Sequence, residues 1–335
     1  MSNEVQPEVR PQRVAIIGAG AVGSYYGARL AQAGHDVHFL MRRDFEAVSS
    51  GGLRIKSADG DFTLDRPSVA RSSEQIGPVD WVICALKATS IEEAQALVAP
   101  CVGEGTRILV LMNGLGLEAR FAQWFGGAGI FGGLAFTCIN RGQPGEVHHI
   151  DYGPITIAQL GDDAAELATA ASLWAGATVG VSTSPSLVQA RWEKLCWNIP
   201  FNGLAVTGGG ITTDVILADP QLRETVRRTI LEVVAAGNAD LAAGGEAQRI
   251  DGEAMAENMI AATDAMAGYR PSTMIDFVEG RAMEVDAIFG APLRRARELG
   301  VETPLMAMLA GQMSVLDELR LLDARASATE ARPGR

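Results

Sequence analysis

The sequence predicts an α/β protein in two parts: a mixed α/β region over residues 1–185 and an all-helical region over 186–323. Three observations lead there. Between Arg13 and Met41 an apolar run, a glycine turn, a helical pattern and a second apolar run follow one another, which makes one βαβ unit. Apolar runs rich in β-branched residues keep alternating with helical patterns as far as about Thr183. Beyond about Pro185 no convincing strand pattern remains.

The elements follow in order. "RVAII" (13–17) reads as a buried strand, "AVGSYYGARLAQAG" as a helix closed by Gly34, and "HDVHFLM" as a parallel second strand reached by a right-handed crossover. "VDWVICALK" (79–87) is a strand. Ser90 and Glu93 then stand in capping-box spacing and predict a helix start. "RILVLMNG" (107–114) and "GIFGGLAFT" (129–137) are strands. "GEVHHIDYGPITIAQLG" reads as paired antiparallel strands, "AAELATAASLWAGA" as a helix and "VGVSTS" as a last strand. "LVQARWEKLCWNI", "PQLRETVRRTILEVVAAGNADLAA", "GEAMAENMIAATDAMAG" and "PLRRARELG" all suit helices. Residues 324–335 read as a flexible tail.

Composition narrows the function. A chain of 335 residues, 47% hydrophobic, can bury the cores of two domains. A formal net charge of −12 argues against nucleic-acid or anionic-membrane binding. No run of about 18 apolar residues occurs, so no spanning helix is expected. The polar N-terminus does not resemble a secretory signal, and Cys84, Cys101, Cys138 and Cys196 form no C-x-x-C pair. They read as reduced thiols in a cytoplasmic protein. Only three of the 28 basic residues are lysines, at 56, 87 and 194.

Gly18-Ala19-Gly20-Ala21-Val22-Gly23 fits G-x-G-x-x-G, after a strand and at a helix start. In that context Gly18 permits the tight turn, Gly20 lets the backbone approach a pyrophosphate, and Gly23 lets helix and strand pack closely. The region is therefore expected to be a Rossmann-type dinucleotide-binding domain. At the end of the second strand, where an NAD site usually has Asp or Glu, the chain has "FLMRRD". A guanidinium binds a 2′-phosphate bidentately. Arg42 thus predicts NADP(H), with Arg43 assisting.

In "ARWEKLCWNIPFNGLAVTGGG", Lys194, Asn198 and Asn202 are spaced by four and share a helix face among apolar residues. Buried polar groups must be satisfied or face a cleft. Pro200 is expected to kink this helix, which leaves the alignment of Asn202 less secure than that of Asn198. From spacing alone two readings stay open: a functional face, or a snorkelling lysine with asparagines capping a kink. Likewise Ser272 starts a helical pattern with Asp276 one turn on, and Glu284 lies between Met283 and Val285. His148, His149 and Asp151 are a weak candidate metal cluster. Adjacent strand residues point to opposite faces, so no metal is expected.

These motifs, together with "CALKATSIEEA" and "LMNGLG", resemble the ketopantoate reductases in order and spacing from about Arg13 to Leu322. The resemblance implies NADPH-dependent reduction of a 2-keto acid, foremost 2-dehydropantoate to pantoate in pantothenate and coenzyme A biosynthesis. It puts the general acid on Lys194, a second catalytic group on Glu284, substrate contacts on Asn198, Asn202 and Ser272, and cofactor contacts on Lys87 and Asn113. It agrees with Arg42 as the 2′-phosphate ligand. Gly203 departs from the proline that many members carry after the second asparagine, and the loop after Thr137 has no easily matched histidine. A related dehydrogenase of another keto or hydroxy acid, and a non-catalytic NADPH sensor, are the competing readings. The expected partners are a small keto acid and, through the helical region, a second copy of the chain in a homodimer.

Overall fold

A computed structural model of the protein describes residues 10–330. It divides into two compact units. One takes the chain up to Met112 and Leu117–Leu187; the other takes Asn113–Gly116 and the chain from Val188 onward.

The first unit is built on one ten-stranded sheet. Its elements are β1 (Arg13–Ile17), α1 (Ala21–Gln32), β2 (Asp36–Leu40), α2 (Phe45–Gly51), β3 (Leu53–Ser57), β4 (Phe62–Leu64), β5 (Ser68–Ala70), β6 (Trp81–Cys84), α3 (Ile91–Val98), β7 (Arg107–Val110), α4 (Leu117–Trp124), β8 (Gly129–Arg141), β9 (Glu146–Gln159), α5 (Ala164–Ser172) and β10 (Val181–Thr183). The strand order is β4-β3-β9-β8-β7-β6-β1-β2-β5, with β10 paired to β9. The stretch β5-β2-β1-β6-β7-β8 is wholly parallel, and its order reverses direction between β1 and β6. Open α/β sheets bind ligands beyond the strand ends at such a switch point. Val14, Ile16, Trp81, Ile83, Leu109 and Phe131 fill the core beneath it, as the near-continuous apolar runs of these strands require.

Both units differ from the sequence expectation in detail. Helix α3 starts where expected, with Ser90 at its N-cap, but the Ser90 side chain makes no capping hydrogen bond; Ser90 closes a 3₁₀ turn, Ala88–Ser90, that leads straight into the helix. The segment 146–159 is one strand, antiparallel to β8 with two register shifts, rather than a pair. Strands β3, β4 and β5, helices α2 and α4, and two helices of the second unit, Thr213–Ala218 and Pro304–Glu330, have no counterpart among the elements read from the sequence. The supposed tail continues as helix to Glu330; residues 331–335 lie outside the described residues.

The second unit is helical: α6 (Leu187–Thr207), α7 (Thr213–Ala218), α8 (Pro220–Ala243), α9 (Gly252–Asp264), α10 (Ser272–Val278), a π-helical turn at Asp286–Gly290, α11 (Ala291–Glu298) and α12 (Pro304–Glu330). Helix α8 packs on α7, α9, α11 and α12. Gly237 of α8 lets Trp192 of α6 close in, since a Cβ there would lie 2.9 Å from the tryptophan side chain. Helix α6 continues through Pro200 to Thr207, so Asn202 stays on the same helix as Lys194 and Asn198. Its residues Trp192, Leu195, Cys196, Ile199, Phe201 and Ala205 are all buried. No helix among the described residues is long and apolar enough to cross a membrane.

Candidate active site

In the first unit the turn between β1 and α1 meets the turn after β6. Gly18 has φ +94°, a conformation that favours glycine, and a Cβ there would lie 2.6 Å from the Leu86 nitrogen. A Cβ on Gly23 would lie 2.4 Å from the Gly18 oxygen. Both glycines are thus demanded by the fold. Gly20 is different. Its φ is −78°, and a Cβ there would find only Arg141 Nη2 at 3.7 Å and the Gly18 oxygen at 3.9 Å. Neither backbone conformation nor packing among the described residues requires glycine at 20, so the absent side chain leaves an open approach to the backbone.

Gly20 N-caps α1 without a side chain, and the first turn holds no acidic residue. Ala21, Val22 and Gly23 therefore begin a 12-residue helix whose first N–H groups have no intrahelical partner. Such an end favours an anion. Ala19, beside Gly20, accepts from Arg141 Nη2 at 3.4 Å.

Lys87, three residues past β6 and one past Leu86, is exposed beside this turn. Met41 is buried and hydrogen-bonds Ala70 through its backbone, so Arg42 is the first exposed side chain past β2. Its side chain is 72% exposed and its guanidinium stands 3.6 Å from Glu93, a screened pair that leaves it available.

The second unit gathers the other candidates. Lys194, Asn198 and Asn202 are all buried along α6, so the i, i+4 reading of one face holds. Burial comes first among the causes that push the Lys194 ammonium down to about 7. The Arg191 charge, one turn earlier, lowers it further, and the Glu284 carboxylate opposes both. Glu284 itself is buried just before the π-helical turn.

Asn113 reaches Glu284 from another part of the chain: its Nδ2 stands 3.5 Å from Glu284 Oε2. The backbone explains that meeting. Gly114 has φ +117°, and a Cβ there would lie 2.5 Å from the Ala287 Cβ. Leu115 N–H donates to the Ala287 carbonyl at 3.1 Å. The segment 113–115 is thereby pinned on the π-helical turn, and Asp317 holds the Met283 N–H at 3.0 Å on the other side of Glu284.

The two asparagines are not equivalent. Asn202 donates through Nδ2 to the Asn198 carbonyl at 3.0 Å and accepts the Thr273 N–H at 3.0 Å. It supplies the cap that Pro271, at the N-cap of α10, cannot. Asn198 Nδ2, by contrast, is buried without a hydrogen-bond partner. A buried donor in that condition is costly unless a ligand meets it. Ser272 is exposed at the start of α10, whereas the Thr273 hydroxyl is buried and unpartnered. Sequence reasoning missed Thr273 and Arg191. The only signal for Arg191 was its spacing of three from Lys194. Gly203, the departure noted above, admits Leu309 and Phe289, whose carbons would lie 3.1 Å and 3.2 Å from a Cβ there.

The weak metal cluster is dispersed: His148 bonds Glu146, while His149 bonds Ser57 and the Tyr152 carbonyl. Among the described residues no group of three or more His, Cys, Asp or Glu side chains is placed to hold an ion.

Comparison with known proteins sets this geometry in a family. Residues 14–162 match the family model for ketopantoate reductase PanE/ApbA, and residues 186–317 match its C-terminal model. A curated 2-dehydropantoate 2-reductase from a Nostoc species is 36% identical, over 91% of this chain and 95% of that one. The crystal structure of 2-dehydropantoate 2-reductase from Geobacter metallireducens is 44% identical, with a TM-score of 0.85 over 92% of this chain and 99% of that one. D-mandelate dehydrogenase in complex with NADH and anilino(oxo)acetate shares the fold, at 21% identity and a TM-score of 0.78 over 92% of this chain and 99% of that one. The chain belongs to the ketopantoate reductase family.

Proposed function

We propose that the protein is an NADPH-dependent 2-dehydropantoate 2-reductase, which converts the C2 ketone of its substrate to the alcohol of pantoate, a step toward pantothenate and coenzyme A. The observation that carries the reading is a buried ammonium, Lys194, poised near neutrality by burial, Arg191 and Glu284. A sensor that only bound NADPH would have no use for such a proton donor. The names of the family relatives support the substrate.

For the cofactor, the open face at Gly20 fits a pyrophosphate and the exposed Arg42 fits a 2′-phosphate. Lys87 and Asn113 are the further cofactor contacts in this proposal. The reduced nicotinamide, when bound, supplies the hydride that C2 accepts.

Negative charge develops on the substrate's C2 oxygen as the ketone is reduced. Lys194 Nζ donates a hydrogen bond to that oxygen and then its proton, leaving a neutral amine. A pKa near 7 lets that transfer proceed without a large energetic gap at neutral pH. Arginine cannot serve, because it does not release its proton. Glu284 holds the ammonium form and its position, and Asn113 orients Glu284. Asn198 Nδ2 donates to the substrate, Asn202 keeps α10 in place while lending its second Nδ2 hydrogen, and Ser272 binds the substrate carboxylate at the start of α10.

The protein is assigned to the cytoplasm, in keeping with four free thiols and a biosynthetic role. A homodimer belongs to the same proposal: Met308, Val315, Leu319 and Leu322 are exposed at helical spacing on α12 and would supply an apolar face. The test of the function is oxidation of NADPH by the purified protein with 2-dehydropantoate and a panel of other 2-keto acids, ranked by kcat/KM. A keto acid preferred over 2-dehydropantoate would overturn the substrate, and no turnover with any would overturn the activity.

A further inference from the structure

Arg141 ends β8 and belongs to none of the motifs discussed so far. Its side chain turns back across the sheet end to the glycine turn. Nη2 lies 3.4 Å from the Ala19 carbonyl and 3.7 Å from where a Gly20 Cβ would stand. Nη1 donates to Asp44 Oδ2 at 3.1 Å, just past the Arg42-Arg43 pair. The guanidinium therefore hangs over the open face of Gly20, the one glycine of the motif that packing among the described residues does not explain. Its five donors are only partly used by one long bond and one carboxylate, and its side chain is 38% exposed.

We propose that Arg141 is a further cofactor-binding residue, whose guanidinium contacts the pyrophosphate common to NADPH and NADH and not the 2′-phosphate. The inference rests on the dinucleotide reading above and adds a residue to it. The division of labour is chemical: Arg42 distinguishes the two dinucleotides, and Arg141 strengthens both. A planar fork matches two phosphate oxygens at once, and exchanging a carboxylate partner for a phosphate keeps the guanidinium paired throughout.

The experiment is a binding titration of the protein without substrate, read by nicotinamide fluorescence, with NADPH and NADH on wild type, Arg141→Gln, Arg141→Lys and Arg42→Ala. Calorimetry with adenosine 2′-monophosphate, which lacks the pyrophosphate, completes it. Arg141→Gln is expected to weaken NADPH and NADH by the same factor, about 10-fold or more for a lost charge-assisted contact, and to leave adenosine 2′-monophosphate unchanged. Arg141→Lys should recover part of the loss as a point charge, and the salt dependence of NADPH binding should be shallower in Arg141→Gln than in wild type. Arg42→Ala should weaken NADPH and adenosine 2′-monophosphate only. The partly exposed pair with Asp44 contributes little to stability, so the variants should fold, which a melting curve checks. Wild-type affinity of Arg141→Gln for both dinucleotides, or a loss confined to NADPH, would overturn this inference and leave the cofactor reading standing. Failure of the wild type to bind either dinucleotide would overturn both.

Discussion

The side-chain oxygen of Asn202 accepts the backbone N–H of Thr273 at 3.0 Å, so that α6 caps α10 across 71 residues of sequence. Asn202→Ala leaves that buried N–H unpaired and should lower stability by about 1–3 kcal/mol. Asn198→Ala removes a donor that has no partner, so it should cost less stability and raise the KM for the keto acid instead. Melting temperatures and KM values for the two variants, measured side by side, check this contrast.

Lys194→Ala should lower kcat by about 10²-fold or more, the usual scale for loss of a general acid, with little change in NADPH affinity. Lys194→Arg should not restore it, because charge without a releasable proton cannot complete the reaction. Near-normal turnover in either variant would remove Lys194 from the mechanism.

The pH profile follows from the Lys194 value. Reduction needs the ammonium, so kcat/KM should stay level below about 7 and fall roughly tenfold per pH unit above it. The reverse oxidation needs the neutral amine and should rise over the same range. Glu284 raises the lysine value and Arg191 lowers it. Glu284→Gln should therefore move the inflection to lower pH, and Arg191→Gln to higher pH. Profiles of the three proteins check both signs.

Arg42→Ala should raise the KM for NADPH by about 10–100-fold, the worth of one charge-assisted phosphate contact, and leave the KM for NADH nearly unchanged. Steady-state kinetics with both dinucleotides read the difference directly.

Gly114→Ala places a Cβ 2.5 Å from that of Ala287 at φ +117°. The strain should cost about 1–3 kcal/mol of stability and displace Asn113 from Glu284. Loss of activity beyond what Asn113→Ala shows, together with a lower melting temperature, is the expected result.

Much of the fold was legible because its signals are local. The helix 220–243 is bounded by local signals, with the Asp219 side chain accepting the Gln221 and Leu222 N–H groups ahead of Pro220 at its start and Gly244 closing it. Strands β3 to β5 were not legible. They are three to five residues long, and Arg54 and Lys56 on β3 alternate with only two buried apolar positions. The last turns of the C-terminal helix read as tail because "ARASATE" has too few apolar residues to show a period, although alanine and glutamate favour helix.

At the site, the spacing of Lys194, Asn198 and Asn202 gave the face but not the division of roles. That division depends on Thr273 and Glu284, which approach from segments about 70 and 90 residues away. Arg191 illustrates the same limit: its effect on Lys194 arises from burial of both charges, which residue identity alone does not reveal.

The five-residue turn at 286–290 carries one more residue than an α-helical path between Glu284 and α11 would use. Excising a single residue there would regularise the coil and rotate everything upstream by about 100° about its axis. The carboxylate would then face away from the ammonium while α11 and α12 kept their seats. Length in this short segment is therefore under tighter constraint than side-chain identity: a one-codon deletion should be more damaging than any single exchange within it.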